Sequence, residues 1–167
     1  MAFRIRLEKE NFKFSCSHFT IFGPKSGESL HGHNYYVSGD FSVDEIDPKL
    51  GMAFDFNLLK PILKSLTEKL DERVLIPMRS PYLKISKTDS NGQPGIEVKF
   101  DSRTYLFPEA DTRLLDVVNI TTEQLTQTFA NDVKAEIKKN PELKSIRTIS
   151  IGIQETRGQT VFYDTDL

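Results

Sequence analysis

The hydrophobic pattern changes period twice along this chain, and that change bounds the folds open to it. From Phe3 to about Phe19 the chain alternates: Phe12, Phe14, Cys16 and His18 share one parity while Lys13, Ser15 and Ser17 share the other. This is the two-residue repeat of a strand with one buried face. After the loop Gly23-Pro24-Lys25-Ser26-Gly27-Glu28, residues 31 to 43 resume an extended pattern ending Val37-Ser38-Gly39-Asp40-Phe41-Ser42-Val43, which predicts a second strand antiparallel to the first. From Gly51 to Leu70 the period becomes helical. Phe56, Leu59, Leu63, Leu66 and Leu70 form one stripe, and Lys60, Lys64 and Lys69 can face water. Pro61 belongs in the first turn, so the helix is expected to begin near Asn57, with Asp55 or Asn57 as its cap.

A second helix is announced by Thr121-Thr122-Glu123-Gln124, a Thr-x-x-Gln capping box, followed by Leu125, Phe129, Val133 and Ile137 on one stripe. Lys138-Lys139-Asn140-Pro141 ends it, with cations at the negative end of the helix dipole. Between the helices, Tyr82 to Lys87 and Ile96 to Asp101 flank the turn-rich Asp89-Ser90-Asn91-Gly92-Gln93-Pro94-Gly95, predicting an inserted hairpin. Ile146 to Glu155 and Gln159 to Asp164 read as two last strands joined at Thr156-Arg157-Gly158. The order ββ-α-(ββ)-α-ββ predicts an α+β fold with an antiparallel sheet.

A chain of 167 residues suits one domain, and at this size roughly 70% of the unfolded surface can be buried without a disulfide or a structural metal. A metal, if bound, is therefore expected to serve chemistry. The net charge of -2, from 22 Lys and Arg against 24 Asp and Glu, provides no strong field for nucleic acid or an anionic membrane. Cys16 is the only cysteine, which excludes an internal disulfide and fits a reducing compartment. The start alternates charged and apolar residues without a hydrophobic core segment. No apolar run approaches the roughly 18 residues of a membrane span. A soluble, cytoplasmic protein is expected.

Two of the three histidines form His31-Gly32-His33. On a strand both imidazoles face one side, Gly32 leaves the other face clear, and His18 is expected on the neighbouring strand. Three imidazoles with an open fourth position make a catalytic zinc arrangement, although His-x-His pairs are commonly surface or core histidines.

The runs Phe14-Ser15-Cys16-Ser17-His18, Leu30-His31-Gly32-His33-Asn34-Tyr35, Gly51-Met52-Ala53-Phe54-Asp55-Phe56 with Leu59-Lys60, Leu70-Asp71, Thr121-Thr122-Glu123 and Gln154-Glu155-Thr156 together resemble the 6-pyruvoyl-tetrahydropterin synthase and 6-carboxytetrahydropterin synthase family. The likeness covers the chain except about 77 to 112, which is longer than the usual connection. It implies a single tunnelling-fold domain: a four-stranded antiparallel sheet with two helices on one face, assembling as a trimer or hexamer. It also implies zinc on His18, His31 and His33, and a pterin triphosphate, dihydroneopterin triphosphate, bound between subunits. The pterin-anchoring glutamate falls on Glu155, which ends the apolar row Ile149, Ile151, Ile153. Thr121 and Thr122 match positions near the pterin, although helix capping explains at least one of them. Asp55 also matches a motif position, where a helix cap is role enough. Lys13, Lys25 and Arg6 are candidate phosphate contacts among which the sequence does not choose.

Familiar members of this family carry a cysteine before His-Gly-His and an Asp-His pair after the first helix. Here those places read Lys25-Ser26-Gly27-Glu28-Ser29-Leu30 and Asp71-Glu72. Glu28 stands as the substitute base, and the loop resembles a variant branch in which glutamate replaces cysteine. That branch is associated with cleaving the side chain to 6-hydroxymethyl-dihydropterin. Asp71 can assist proton transfer. Glu72, with a reference pKa near 4.3, is a poor shuttle unless burial raises that value. Cys16 shares the parity of His18, which permits a fourth-ligand or nucleophile role, but a packed, inert cysteine is the simpler reading. The alternatives are a 6-carboxytetrahydropterin synthase-like step toward deazapurines and a pterin-binding protein without turnover.

Overall fold

The buried side of the first strand changes parity along its length. The computed structural model describes residues 3–90 and 92–167, so Asn91 of the expected turn lies outside the described residues. Strand β1 (Phe3–His18) pairs antiparallel with β4 (His31–Val43), and five steps of β1 from Glu8 to Lys13 span only two of β4, from Ser38 to Tyr36. β1 thus accommodates three residues more than β4 over this stretch. Being an odd number, they exchange the faces of the strand. Leu7 before the irregularity and Phe12, Phe14 and Cys16 after it consequently all enter one core.

Between β1 and β4 lies a short hairpin, β2 (Ile21–Gly23) and β3 (Ser26–Gly27). The chain then enters a 3-10 turn, Phe56–Leu58, whose Asp55 cap accepts the Asn57 N–H at 2.8 Å, and only afterwards α1 (Lys60–Glu68), with Pro61 in its first turn. The regular helix starts three residues beyond the expected Asn57, because the Asp55 cap closes a tighter turn first. Next come β5 (Arg73–Pro77), β6 (Lys84–Ser90), β7 (Gln93–Phe100), β8 (Arg103–Pro108) and β9 (Thr112–Leu115). Helix α2 (Thr122–Lys138) and the final pair β10 (Ile146–Thr156) and β11 (Gln159–Asp166) complete the chain.

The expected four antiparallel strands are present as the run β11-β10-β4-β1, but the sheet continues. Strand β5 pairs parallel with β1 and β9 parallel with β5, so the sheet has six strands and is mixed. Residues 73 to 77 do not alternate because both faces of β5 are covered. Leu75 joins the main core and Ile76 a second one. That second core lies under the inserted segment, which forms a three-stranded antiparallel sheet, β6-β7-β8, and not a two-stranded hairpin. The expected strand ending at Asp101 stops at Phe100, because Asp101 adopts a left-handed conformation (φ 50°) in the turn to β8.

Both helices cover the same side of the main sheet. Leu63 and Leu66 of α1 and Leu125, Phe129 and Val133 of α2 share one core with Phe14, Tyr35, Phe41 and Ile151. Among the described residues no helix is long and apolar enough to cross a membrane. On the uncovered side Arg6 donates two bonds of 2.8 Å to Asp40. This bidentate contact, opposed by partial burial, holds the Asp40 carboxyl below its ordinary value. A depressed folded-state value means stability that is present above the unfolded pKa of about 3.9 and lost as pH falls through the lower folded one. Asp40→Asn should therefore lower the urea midpoint at pH 7. That difference should narrow in acid below the ordinary carboxylate range, and an equal deficit at every pH would contradict the pairing.

Candidate active site

The register of β1 and β4 brings the histidines together. His18 lies directly opposite His31, Cys16 opposite His33, and Phe14 opposite Tyr35, all on the helix-covered face. Their side-chain nitrogens lie within 4.8 Å of one another, and His31 Nε2 is 2.9 Å from His33 Nε2. His18 is buried, while the side chains of His31 and His33 are 35% and 24% exposed, so the cluster opens outward on their side.

The outer hydrogen bonds define which nitrogens are bare. His18 Nδ1 faces the Ile120 carbonyl at 3.3 Å and His31 Nδ1 faces the Ser29 carbonyl at 2.8 Å. A carbonyl only accepts, so each Nδ1 carries the proton, and in the neutral ring each Nε2 presents a lone pair to the cluster. Burial, reinforced by His31, pushes His18 below the usual imidazole range and favours that neutral form. A tetrahedral zinc with Zn–N bonds of about 2.0–2.1 Å needs nitrogens roughly 3.3 Å apart, so three imidazole nitrogens within 4.8 Å of one another fit the ion with small movements.

Two carboxylates flank the cluster. Glu28 Oε2 lies 3.9 Å from His31 Nε2 and accepts the Thr20 N–H at 2.9 Å, while the Glu28 N–H returns to the Thr20 carbonyl at 2.9 Å. Partial burial raises the Glu28 pKa, but the Thr20 hydrogen bonds and the facing imidazoles outweigh it and hold the group below its ordinary value. Glu155 sits where two steps of β10 span one of β11, a bulge that re-aims the side chain at the end of its apolar row. Its Oε1 accepts from Tyr35 Oη at 2.9 Å and lies 3.6 Å from His33 Nε2. Its Oε2 accepts from Thr122 Oγ1 at 3.1 Å.

The two threonines divide their work. Thr121, with extended backbone, caps α2 by accepting the Gln124 N–H, whereas Thr122 orients Glu155. Asp71 is placed against β1, its Oδ1 accepting the Ser15 N–H at 2.7 Å, and no ion pair or hydrogen bond joins it to Glu28 or the imidazoles among the described residues. Glu72 adopts a left-handed conformation (φ 55°), and its N–H meets the Ser15 carbonyl. Cys16 is packed in the core, and burial, aided by Glu155 and Asp71, pushes its thiol up to about 12. The metal-sized cluster contains the three histidines without it. Arg6 is taken by Asp40, while Lys13 and Lys25 are exposed.

Tyr35 had no role in the sequence reading, although it shares the parity of His31 and His33. Its hydroxyl lies 3.1 Å from His18 Nε2 and donates to Glu155. Burial and the adjacent Glu155 charge raise it far above the usual phenol range, so it stays a donor. Arg103, which the sequence did not single out, donates to the carbonyls of Gly27 and Glu28.

The chain as a whole has relatives among known proteins. A protein of Methanocaldococcus jannaschii, provisionally named 6-carboxy-5,6,7,8-tetrahydropterin synthase, is 28% identical over 159 residues, covering 90% of this chain and 88% of its own. The crystal structure of Plasmodium vivax 6-pyruvoyl tetrahydropterin synthase is 26% identical, with a TM-score of 0.90 over 100% of this chain and 99% of that one. A variant of the vivax enzyme, in which a glutamate described as a catalytic residue is replaced by alanine, is 25% identical with the same TM-score and coverage. The model of the family described as 6-pyruvoyl tetrahydropterin synthase matches residues 6–166. With nearly the whole length matched and the fold reproduced, the chain belongs to the 6-pyruvoyl tetrahydropterin synthase family of pterin lyases.

Proposed function

We propose that this protein is a zinc-dependent lyase that cleaves the side chain of 7,8-dihydroneopterin triphosphate to 6-hydroxymethyl-7,8-dihydropterin. The observation that carries this reading is the position of Glu28, an ionised carboxylate 3.9 Å from His31 Nε2 at the open side of the imidazole cluster. The vivax relative, with its catalytic glutamate, supports the assignment of a glutamate to this work.

His18, His31 and His33 would hold the metal, which when bound acidifies substrate hydroxyls and stabilises negative charge on oxygen. Each oxygen of Glu155 already accepts one hydroxyl and retains a lone pair, so the carboxylate can take two parallel N–H bonds from the guanidine-like edge of the pterin. Tyr35 and Thr122 fix the carboxylate for that purpose. Glu28 then removes the proton of the second side-chain hydroxyl. The bond between the first and second side-chain carbons breaks, the second carbon becomes an aldehyde, and the electron pair passes to the first carbon and the conjugated ring. A proton returned to that carbon completes a retro-aldol cleavage, leaving 6-hydroxymethyl-7,8-dihydropterin and a phosphorylated two-carbon aldehyde. Asp71 can assist proton transfer if the protein works as a homo-oligomer, trimer or hexamer, with substrate between subunits.

Chromatography of the pterins formed from dihydroneopterin triphosphate by the zinc-loaded protein tests the reading. 6-Hydroxymethyl-dihydropterin is the expected product. Unchanged substrate at full zinc occupancy overturns the enzymatic claim, and 6-carboxytetrahydropterin would assign the protein to the route toward deazapurines.

A further inference from the structure

The segment between β5 and β9 is unused by the chemistry above, yet it presses on the loop that carries Glu28. Its core residues Ile96, Val98 and Phe100 pack with Phe19 and Ile21, which immediately follow the cluster histidine His18. Phe19 stacks on Phe100 at 6.1 Å and on Tyr105 at 5.4 Å. Arg103, at the start of β8, lies with its guanidinium 4.6 Å from the centre of the Phe100 ring and donates Nη1 to the Glu28 carbonyl and Nη2 to the Gly27 carbonyl. The fit leaves no free space: a Cβ on Gly27 would come within 2.8 Å of the Phe100 ring and 2.9 Å of the Thr20 carbonyl.

We infer that the inserted three-stranded sheet is the anchor of the base-bearing loop and that Arg103 is a positioning residue for Glu28. This rests on the role proposed for Glu28 and adds how that role is maintained. The loop itself is a two-residue-rung hairpin with little internal pairing, too small to hold a side chain to catalytic tolerance by itself. A planar fork with two carbonyl acceptors, stacked on an aromatic face, provides the constraint that a lysine's single point of charge does not. Its two bonds to this loop both end on backbone oxygens, so Arg103 acts on the carboxylate through the chain.

The test is Arg103→Ala, with Arg103→Lys beside it, examined by amide hydrogen exchange and by turnover of dihydroneopterin triphosphate. The Glu28 amide, bonded to the Thr20 carbonyl, should exchange at least about tenfold faster in Arg103→Ala while Ile149 to Ile153 are unchanged, which reports an intact fold. Turnover should fall tenfold to a hundredfold, the order expected for a misplacement near 1 Å, with KM little altered and Arg103→Lys intermediate. In a Glu28→Gln background Arg103→Ala should cause no further loss, because a residue acting through Glu28 has nothing left to position. Unchanged exchange, a rise in KM with kcat retained, or losses that multiply in the double variant would each overturn the inference. If the wild-type protein cleaves no pterin, the proposed function fails, and the exchange measurement still decides whether Arg103 holds the loop.

Discussion

Glu28→Gln should lower turnover of dihydroneopterin triphosphate by about a hundredfold to ten-thousandfold, the range of a lost general base, and leave bound zinc at wild-type content. The amide is nearly isosteric with the carboxylate and can still accept the Thr20 N–H that the carboxylate accepts at 2.9 Å, so the loop keeps its place. What disappears is the negative charge and the capacity to take a proton. Metal content is unaffected because the three converging nitrogens belong to His18, His31 and His33. Steady-state kinetics with metal analysis of the same samples decides it. A variant within threefold of wild type would remove Glu28 from the role of base, and a variant that loses zinc along with activity would place the carboxylate in the metal site.

Zinc should raise the thermal midpoint of the wild-type protein strongly and that of His33→Ala hardly at all. A ligand that binds only the folded state stabilises it by about 4 kcal/mol at a thousand times its dissociation constant, roughly 8–16 °C for a domain of this size. His33→Ala removes one of three donors but few packing contacts, since the ring lies at the open side of the cluster with its side chain 24% exposed. The metal-free stabilities should therefore be similar, and the two proteins should diverge only when zinc is added. A zinc-dependent midpoint in His33→Ala equal to the wild type's would show that the ion binds elsewhere. Equal insensitivity in both would leave the imidazole cluster without its metal.

Much of this site is readable along the chain because its parts sit on regular elements. The two-residue repeat places His31 and His33 on one face, and Tyr35 with them, so a third member of that row was visible although nothing local marked its hydroxyl as the link between His18 and Glu155. The capping box identifies the start of α2, but Thr121 and Thr122 are equivalent in composition. Backbone direction separates them: extended Thr121 aims at the Gln124 N–H, and Thr122, one step on, aims at Glu155. The phase change between Leu7 and Phe12 is present in the sequence as well, but only the pairing with β4 reveals that three residues absorb it.

Periodicity, caps and turn residues are short-range properties of the backbone and of burial, and they determined the four antiparallel strands, both helices and the residue types available for chemistry. The tertiary structure alone decided what depends on register and closure over long separations. It set His18 opposite His31 and added β5 and β9 in parallel to the antiparallel strands. It also placed Arg103 on a loop 75 residues before it. No local pattern encodes such contacts, because their free energy is realised only when distant segments have already packed.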